Sequence, residues 1–456
     1  MKRVTMETWL ILTILLTAYL IPCRAQKRSV AGQAPAGKAT QADPASAAVR
    51  EKVLHTFTSG NTGGNPSGKL IFDTAGNLYG TTAAGGGFNT NCPNGWCGAV
   101  FELQPTLGGQ WKEIVLHDFA WGKNGSVPQA GLIFDSGGNL YGTTSEGGRG
   151  RCLYRACGVV FELTPTTAAK WEETVLYAFS GGDDGGYPYA GLTFDAAGNL
   201  YGTTLLGGSR GAGVVFELMR TSNGMWKEKV LHAFTGGKDG GQPSGGLIFD
   251  NAGNLYGDTT FGGNLADCQG SGCGVVFKLT PTSSDRWKET VLYSFTGGKD
   301  GAGPSGSSLI FDSAGSLYGT TGGDAEGCQG LGGCGLVFKL TPTSSGRWKE
   351  TVLHTFTGGN DGAVSEPNLT FDTEGNLYGT TYYGGLGNCA YGCGVAFKLM
   401  PISNGQWKEI VLHTFTGGKD GGNPGSGLIF DAKGNLYGSA ALGGANDWGV
   451  IFELTH

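Results

Sequence analysis

The chain has 456 residues, of which 87 are glycine, roughly three times the usual share of about 7%. Proline contributes only 16 residues and no G-X-Y period runs through the sequence, which excludes a collagen-like fibre. Hydrophobic residues at 39%, aromatics at 11%, charged residues at 15% and a net charge of -6 exclude wholesale disorder and the basic surface that nucleic acid or an anionic membrane would need, leaving a turn-rich fold.

At the N-terminus, Lys2 and Arg3 precede an apolar run from Trp9 to Ile21, too short for a membrane span. Residues 1–25 are read as a secretory signal peptide cleaved after Ala25, since small-residue positions flank the site as signal peptidase requires. A lipobox ending in Cys23 is the competing reading, weakened by Pro22 just before the cysteine. Residues 26–48, rich in Ala, Gly, Gln, Lys and Ser, read as a flexible linker. No second hydrophobic segment follows, so no transmembrane segment is expected in the mature chain, nor a C-terminal anchor.

From residue 49 onward the sequence repeats. The string F-D-x-x-G-N-L-Y-G begins at Phe72, Phe134, Phe194, Phe249, Phe311, Phe371 and Phe430, with Ser316 replacing Asn in the fifth copy. Each period holds four short segments, here called a, b, c and d; in the fourth copy they cover 246–250, 254–259, 274–279 and 287–295. Their Val, Phe, Tyr and Thr content, bounded by Gly, Pro, Asn and Asp, predicts strands. Four antiparallel strands repeated seven times predict an all-β fold, a seven-bladed β-propeller over 49–456. The ends supply a check. Residues 50–57 match segment d but precede the first a, while the chain stops after the seventh c, so the N-terminal strand is expected to complete the last blade and close the ring. An open β-solenoid, the alternative, needs no such complementarity.

Repeated residues are expected to do repeated, structural work. Asp73 and its six equivalents read as turn caps. His55, His117, His232, His354 and His413 fall in one column of strand d that holds Tyr177 and Tyr293 in other copies, which argues against metal ligation there. The tryptophans that open strand d, such as Trp111 and Trp287, are expected to cover apolar surface between blades. Ten cysteines fall into five local pairs, Cys92/Cys97, Cys152/Cys157, Cys268/Cys273, Cys328/Cys334 and Cys389/Cys393, all in b–c loops. Copies three and seven lack both members, as disulfides would require, and no histidine accompanies the pairs as zinc would.

The a–b and c–d turns are uniform, whereas the b–c loops and d–a crossovers on the opposite face vary, so any ligand site is assigned to that face and the channel mouth. The crossover aspartates Asp184, Asp239, Asp300, Asp361 and Asp420 are candidate ligand or calcium loops, although each loop offers few carboxylates and turn fixation is the competing role. Departures from the repeat on this face are Glu146, Arg151, Asp258, Tyr382 and Tyr383. No nucleophile, base and oxyanion set is visible, and no cofactor is expected beyond the calcium considered above.

The combination Y-G-T-T-x-x-G-G, G-V-V-F-[EK]-L-T-P, V-L-[HY]-x-F-x-G-G-x-D-G and G-L-x-F-D-x-x-G-N-L-Y-G closely resembles the tandem GloVer repeat of secreted bacterial proteins described as having a choice of anchor. It is similar, more distantly, to the NHL-type propeller repeat. The resemblance covers residues 51–454 and implies an exported, surface-associated protein; it carries over no catalytic residues. The expectation is a secreted, monomeric binding or scaffolding module for an extracellular glycan or protein. The alternative is a polysaccharide-active enzyme, a glycoside hydrolase or lyase, with its site at the channel mouth.

Overall fold

The computed structural model describes residues 49–455 except 87–96, 151, 153–155, 167–169, 285, 305, 307, 324–327, 329–332 and 366–367. The regions read as signal peptide and linker lie outside the described residues. The structure is a seven-bladed β-propeller of antiparallel sheets. In blade 4 the strands are Ile248–Phe249 (a), Leu255–Thr259 (b), Val275–Pro281 (c) and Trp287–Ser294 (d), paired in that order. Strand a is only two residues long because glycine and proline interrupt the inner edge. In blades 1, 6 and 7 a second inner piece, such as Gly64–Pro66, pairs farther along strand b.

The seam is as the sequence predicts. The N-terminal strand Arg50–Thr56 pairs antiparallel with Val450–Thr455, from Arg50 opposite Thr455 to Thr56 opposite Val450. Blade 7 therefore has its outer strand from the start of the chain and its other strands from the end.

Glycine in Y-G-T-T serves packing. A Cβ on Gly257 would lie 2.7 Å from Cζ of Phe277, the ring that strand c lays over strand b. The glycine of the a–b turn serves conformation: Gly253 has φ +79°, a region costly for other residues. That turn is capped by Asp250, whose Oδ1 accepts from the backbone N–H groups of Ala252 and Asn254, both at 2.9 Å. Its Oδ2 accepts from Asn254 Nδ2 at 2.7 Å and from Tyr256 Oη at 3.0 Å. Desolvation pushes the Asp250 pKa up, but these hydrogen bonds outweigh it and hold the carboxyl below its usual value.

Blades pack face to face through repeated aromatic contacts. Tyr201 of blade 3 meets Phe249 and Trp287 of blade 4 edge-on at 5.1 and 6.3 Å, so the tryptophan column covers the interblade surface as expected. Deeper in the interface, Phe234, just past strand d, meets Phe277 of the next blade at 5.1 Å, and both are fully buried. Thr81, Thr143 and Thr203 of strand b donate hydroxyls to Ala130, Ala190 and Gly245 carbonyls of the following blade.

Candidate functional site

Strand d carries a bulge in every blade whose position decides which groups meet between blades. In blade 1, Val115 pairs with Phe101 and His117 with Val100, leaving Leu116 as the extra residue. The bulge switches alternate positions from one face of the sheet to the other. Trp111 and Glu113 thus face the preceding blade, whereas His117 faces the following one. The consequence is a repeated meeting of the His or Tyr of one blade with the strand-d Glu of the next: His55 Nε2 lies 3.4 Å from Glu113, and His117 Nε2 lies 3.6 Å from Glu173.

The glutamates involved are Glu51, Glu113, Glu173, Glu228, Glu289, Glu350 and Glu409, one per blade. Burial pushes each carboxyl up to about 7. The Oε1 atom of every one is shielded and without a hydrogen-bond partner. Burial also pushes the His55 and His117 imidazoles down to about 4. Reasoning from the sequence missed this column. The signal was present as a Glu two residues after each strand-d Trp, hence on the same face and buried with it.

The crossover aspartates approach the same ring. Asp184 Oδ2 accepts from the Ser180 backbone N–H at 2.8 Å and from Tyr177 Oη at 3.0 Å, while Oδ1 accepts from the Ser180 hydroxyl. Asp300 repeats this with Thr296 and Tyr293. Asp239, Asp361 and Asp420 cap their turns through Thr235, Thr357 and Thr416 and face histidines instead, at 3.4, 3.6 and 3.2 Å from His232, His354 and His413. Each aspartate is therefore a turn cap that also touches strand d.

The departures from the repeat do not converge on one point. Glu146 is buried, with its backbone bridged to Ser126 on the inner edge of blade 2. Asp258 is 1% exposed in the Thr column of strand b, where Thr81, Thr143, Thr203 and Ser439 use a hydroxyl to reach the next blade. Tyr382 and Tyr383 form an edge-on pair at 4.9 Å that Tyr391 extends at 6.0 Å, and Tyr391 is 60% exposed. Leu386, in the same loop, is also exposed. Arg151 lies outside the described residues, as does Cys92.

The cysteine pairing is as expected where it is described. Cys97 is disulfide-bonded, and Cys152 with Cys157, Cys268 with Cys273, Cys328 with Cys334 and Cys389 with Cys393 form disulfides in the b–c loops. In each described pair the second cysteine is turned inward. Cys157, Cys334 and Cys393 are fully buried, as is Cys97. The reason is position: each immediately precedes the glycine that leads into strand c, at Gly158, Gly335 and Gly394. Cys157, Cys334 and Cys393 therefore enter the hydrophobic cores that hold Phe179, Phe356 and Phe415. Each disulfide ties the outer part of its loop to the blade core and is a structural element of the scaffold.

One inner-edge departure escaped the sequence reading. Lys69 occupies the column held elsewhere by Gly131, Gly191, Gly246, Ser308, Asn368 and Gly427. A Cβ on Gly131 would lie 3.1 Å from the Lys69 Cβ, so neighbouring blades approach closely here. Burial pushes the Lys69 amine down, and among the described residues it makes no ion pair. Gln129 Oε1, on the inner edge of the next blade, is shielded and without a hydrogen-bond partner.

The Gloeobacter/Verrucomicrobia repeat family matches the sequence over residues 29–181, 154–390 and 328–456, which together span the propeller. The chain belongs to this family. No curated protein matches it. Among solved structures, the Gloeobacter/Verrucomicrobia repeat chain is similar to a putative oxidoreductase (glucose dehydrogenase) from Thermus thermophilus. Identity is 12% over 89% of this chain and 100% of that one, with a TM-score of 0.39. So loose a likeness carries nothing over to the site. Among the described residues no helix is long and apolar enough to cross a membrane.

Proposed function

We propose that this family member is an exported binding module that holds an extracellular glycan or protein on the face formed by its b–c loops and crossovers. The observation that carries the reading is where the repeat breaks. The blade cores, a–b turns and interblade contacts recur, while Lys69 at the inner edge and the Tyr382, Tyr383 and Tyr391 cluster do not. A buried lysine at the inner edge of blade 1 and a partly exposed aromatic group in a b–c loop suit a polar ligand with stackable surface. Local disulfides in the b–c loops support an oxidising, extracellular setting, in keeping with the leader read at residues 1–25.

The test is a glycan and peptide array probed with the mature protein, paired with depolymerisation assays on the same polymers. Binding without turnover is expected. Turnover would replace this reading with that of a polysaccharide-active enzyme, and the absence of binding to either class would overturn both.

A further inference from the structure

We propose that the junction between blades 5 and 6 is a site for a divalent first-row metal ion such as Zn²⁺, held by His354, Asp361 and Glu409. His354 stands at the end of strand d of blade 5, Asp361 in the crossover that follows, and Glu409 near the start of strand d of blade 6. Their donor atoms all lie within 4.8 Å of one another, and among the described residues no other set of three His, Cys, Asp or Glu donors does so. His354 Nε2 is 3.6 Å from Asp361 Oδ2 and 3.9 Å from a Glu409 oxygen. Donors around a tetrahedral zinc, with bonds of about 2.0–2.1 Å, sit roughly 3.3–3.5 Å apart, so the two histidine contacts need only a few tenths of an ångström of adjustment, while the Asp361 and Glu409 oxygens, within 4.8 Å of each other, would close up on binding.

Two further observations point to a cation here. His354 Nε2 is shielded from solvent and without a hydrogen-bond partner, as is Oε1 of Glu409, whose other oxygen, Oε2, is the one 3.9 Å from the imidazole, so burial leaves donor capacity unused on both residues. The third donor is already oriented: Asp361 accepts from the Thr357 backbone N–H at 2.9 Å and from its hydroxyl at 2.6 Å, the kind of outer contact that fixes a ligating carboxylate. One imidazole nitrogen with two carboxylate oxygens suits zinc or a similar ion better than calcium, which takes six to eight oxygens.

The other junctions show what breaks the set. Between blades 2 and 3 and between blades 4 and 5, Tyr177 and Tyr293 donate their hydroxyls to Asp184 and Asp300, placing a proton where an imidazole lone pair would be. Thr62 and Asn124 replace the aspartate at two more junctions. His232 with Asp239 and His413 with Asp420 keep the residue types without gathering all three donors as closely. A bound ion between blades 5 and 6 would cross-link strand d of one blade to strand d of the next.

The experiment uses the untagged mature chain, stripped with a chelator and titrated calorimetrically with Zn²⁺, with Co²⁺ absorption as a second readout of nitrogen and oxygen ligation. One ion per chain and a raised melting temperature are expected. His354→Tyr copies a residue the fold already carries at Tyr177 and Tyr293, and Glu409→Gln keeps the shape; each should weaken binding at least about tenfold while circular dichroism stays native. His413→Tyr should leave binding unchanged. No binding at millimolar Zn²⁺, or equal binding by wild type and the His354→Tyr and Glu409→Gln variants, would overturn the proposal.

Discussion

Glu173 and His117 meet between blades 1 and 2 with side chains 4% and 17% exposed. Substituting each in turn should tilt the pH dependence of stability in opposite directions. Burial raises Glu173 from 4.5 to about 7, partly opposed by a hydrogen bond with Asn124, and lowers His117 from 6.5 to about 4. Either displacement corresponds to about 3 kcal/mol when unopposed. In the wild type the two offset. The native pair holds one proton from about pH 4 to 7, and the unfolded pair also holds one, on the histidine, between 4.5 and 6.5.

Glu173→Gln leaves a histidine whose folded pKa is depressed. The native state then binds fewer protons than the unfolded state, so stability is complete above pH 6.5 and falls by up to about 3 kcal/mol as pH drops towards 4. His117→Tyr leaves a carboxyl whose folded pKa is raised, so stability is complete below pH 4.5 and is lost as pH rises through 7. Urea unfolding followed by tryptophan fluorescence at pH 4, 5.5 and 8 reads both slopes. If both variants track the wild type within about 0.5 kcal/mol at every pH, the pair behaves as a solvated surface contact and the buried-ring argument fails.

Three other outcomes follow from the same packing. Phe57→Ala empties a fully buried position 5.2 Å from Phe101 at the seam and should cost about 3–5 kcal/mol, whereas Leu107→Ala in an exposed c–d turn should be nearly neutral; equal melting of the two would contradict closure by the N-terminal strand. Asp250→Ala removes the acceptor of four hydrogen bonds and should lower stability by about 2–3 kcal/mol in thermal unfolding, an effect a solvated surface carboxylate would not produce. Replacing Cys268 and Cys273 together with serine should cost no more than about 2 kcal/mol, because the closed loop is short; global unfolding of that variant would show that the loop disulfides hold the ring itself.

The repeat made the blades and the seam readable, because strand, turn and tryptophan signals recur in sequence and their roles depend only on neighbours within a blade or the next one. Asp250 reads as a cap from D-x-x-G-N alone, and the structure gives it that role. The interblade ring was not readable in the same way. His117 and Glu173 are 56 positions apart, and only the bulge at Leu116 turns the histidine towards the next blade. Tyr177 and Tyr293 in the histidine column argue against metal ligation when read from sequence, but a column does not show that His354, Asp361 and Glu409 lie within 4.8 Å of one another. Glu146 and Asp258 stood out as deviations, but their burial depends on tertiary packing, which local sequence does not reveal.

The reading of this propeller as a binding module rests on one face carrying the departures from symmetry. The direct measurement is array binding by the wild type beside a Tyr383→Ala/Tyr391→Ala variant and a Leu107→Ala variant of the opposite face, with turnover monitored on every polymer bound. The account predicts a ligand whose affinity falls at least about tenfold in the tyrosine variant and is unchanged in the other, with no product formed. Affinity lost through Leu107→Ala instead, or turnover of the bound polymer, would contradict it.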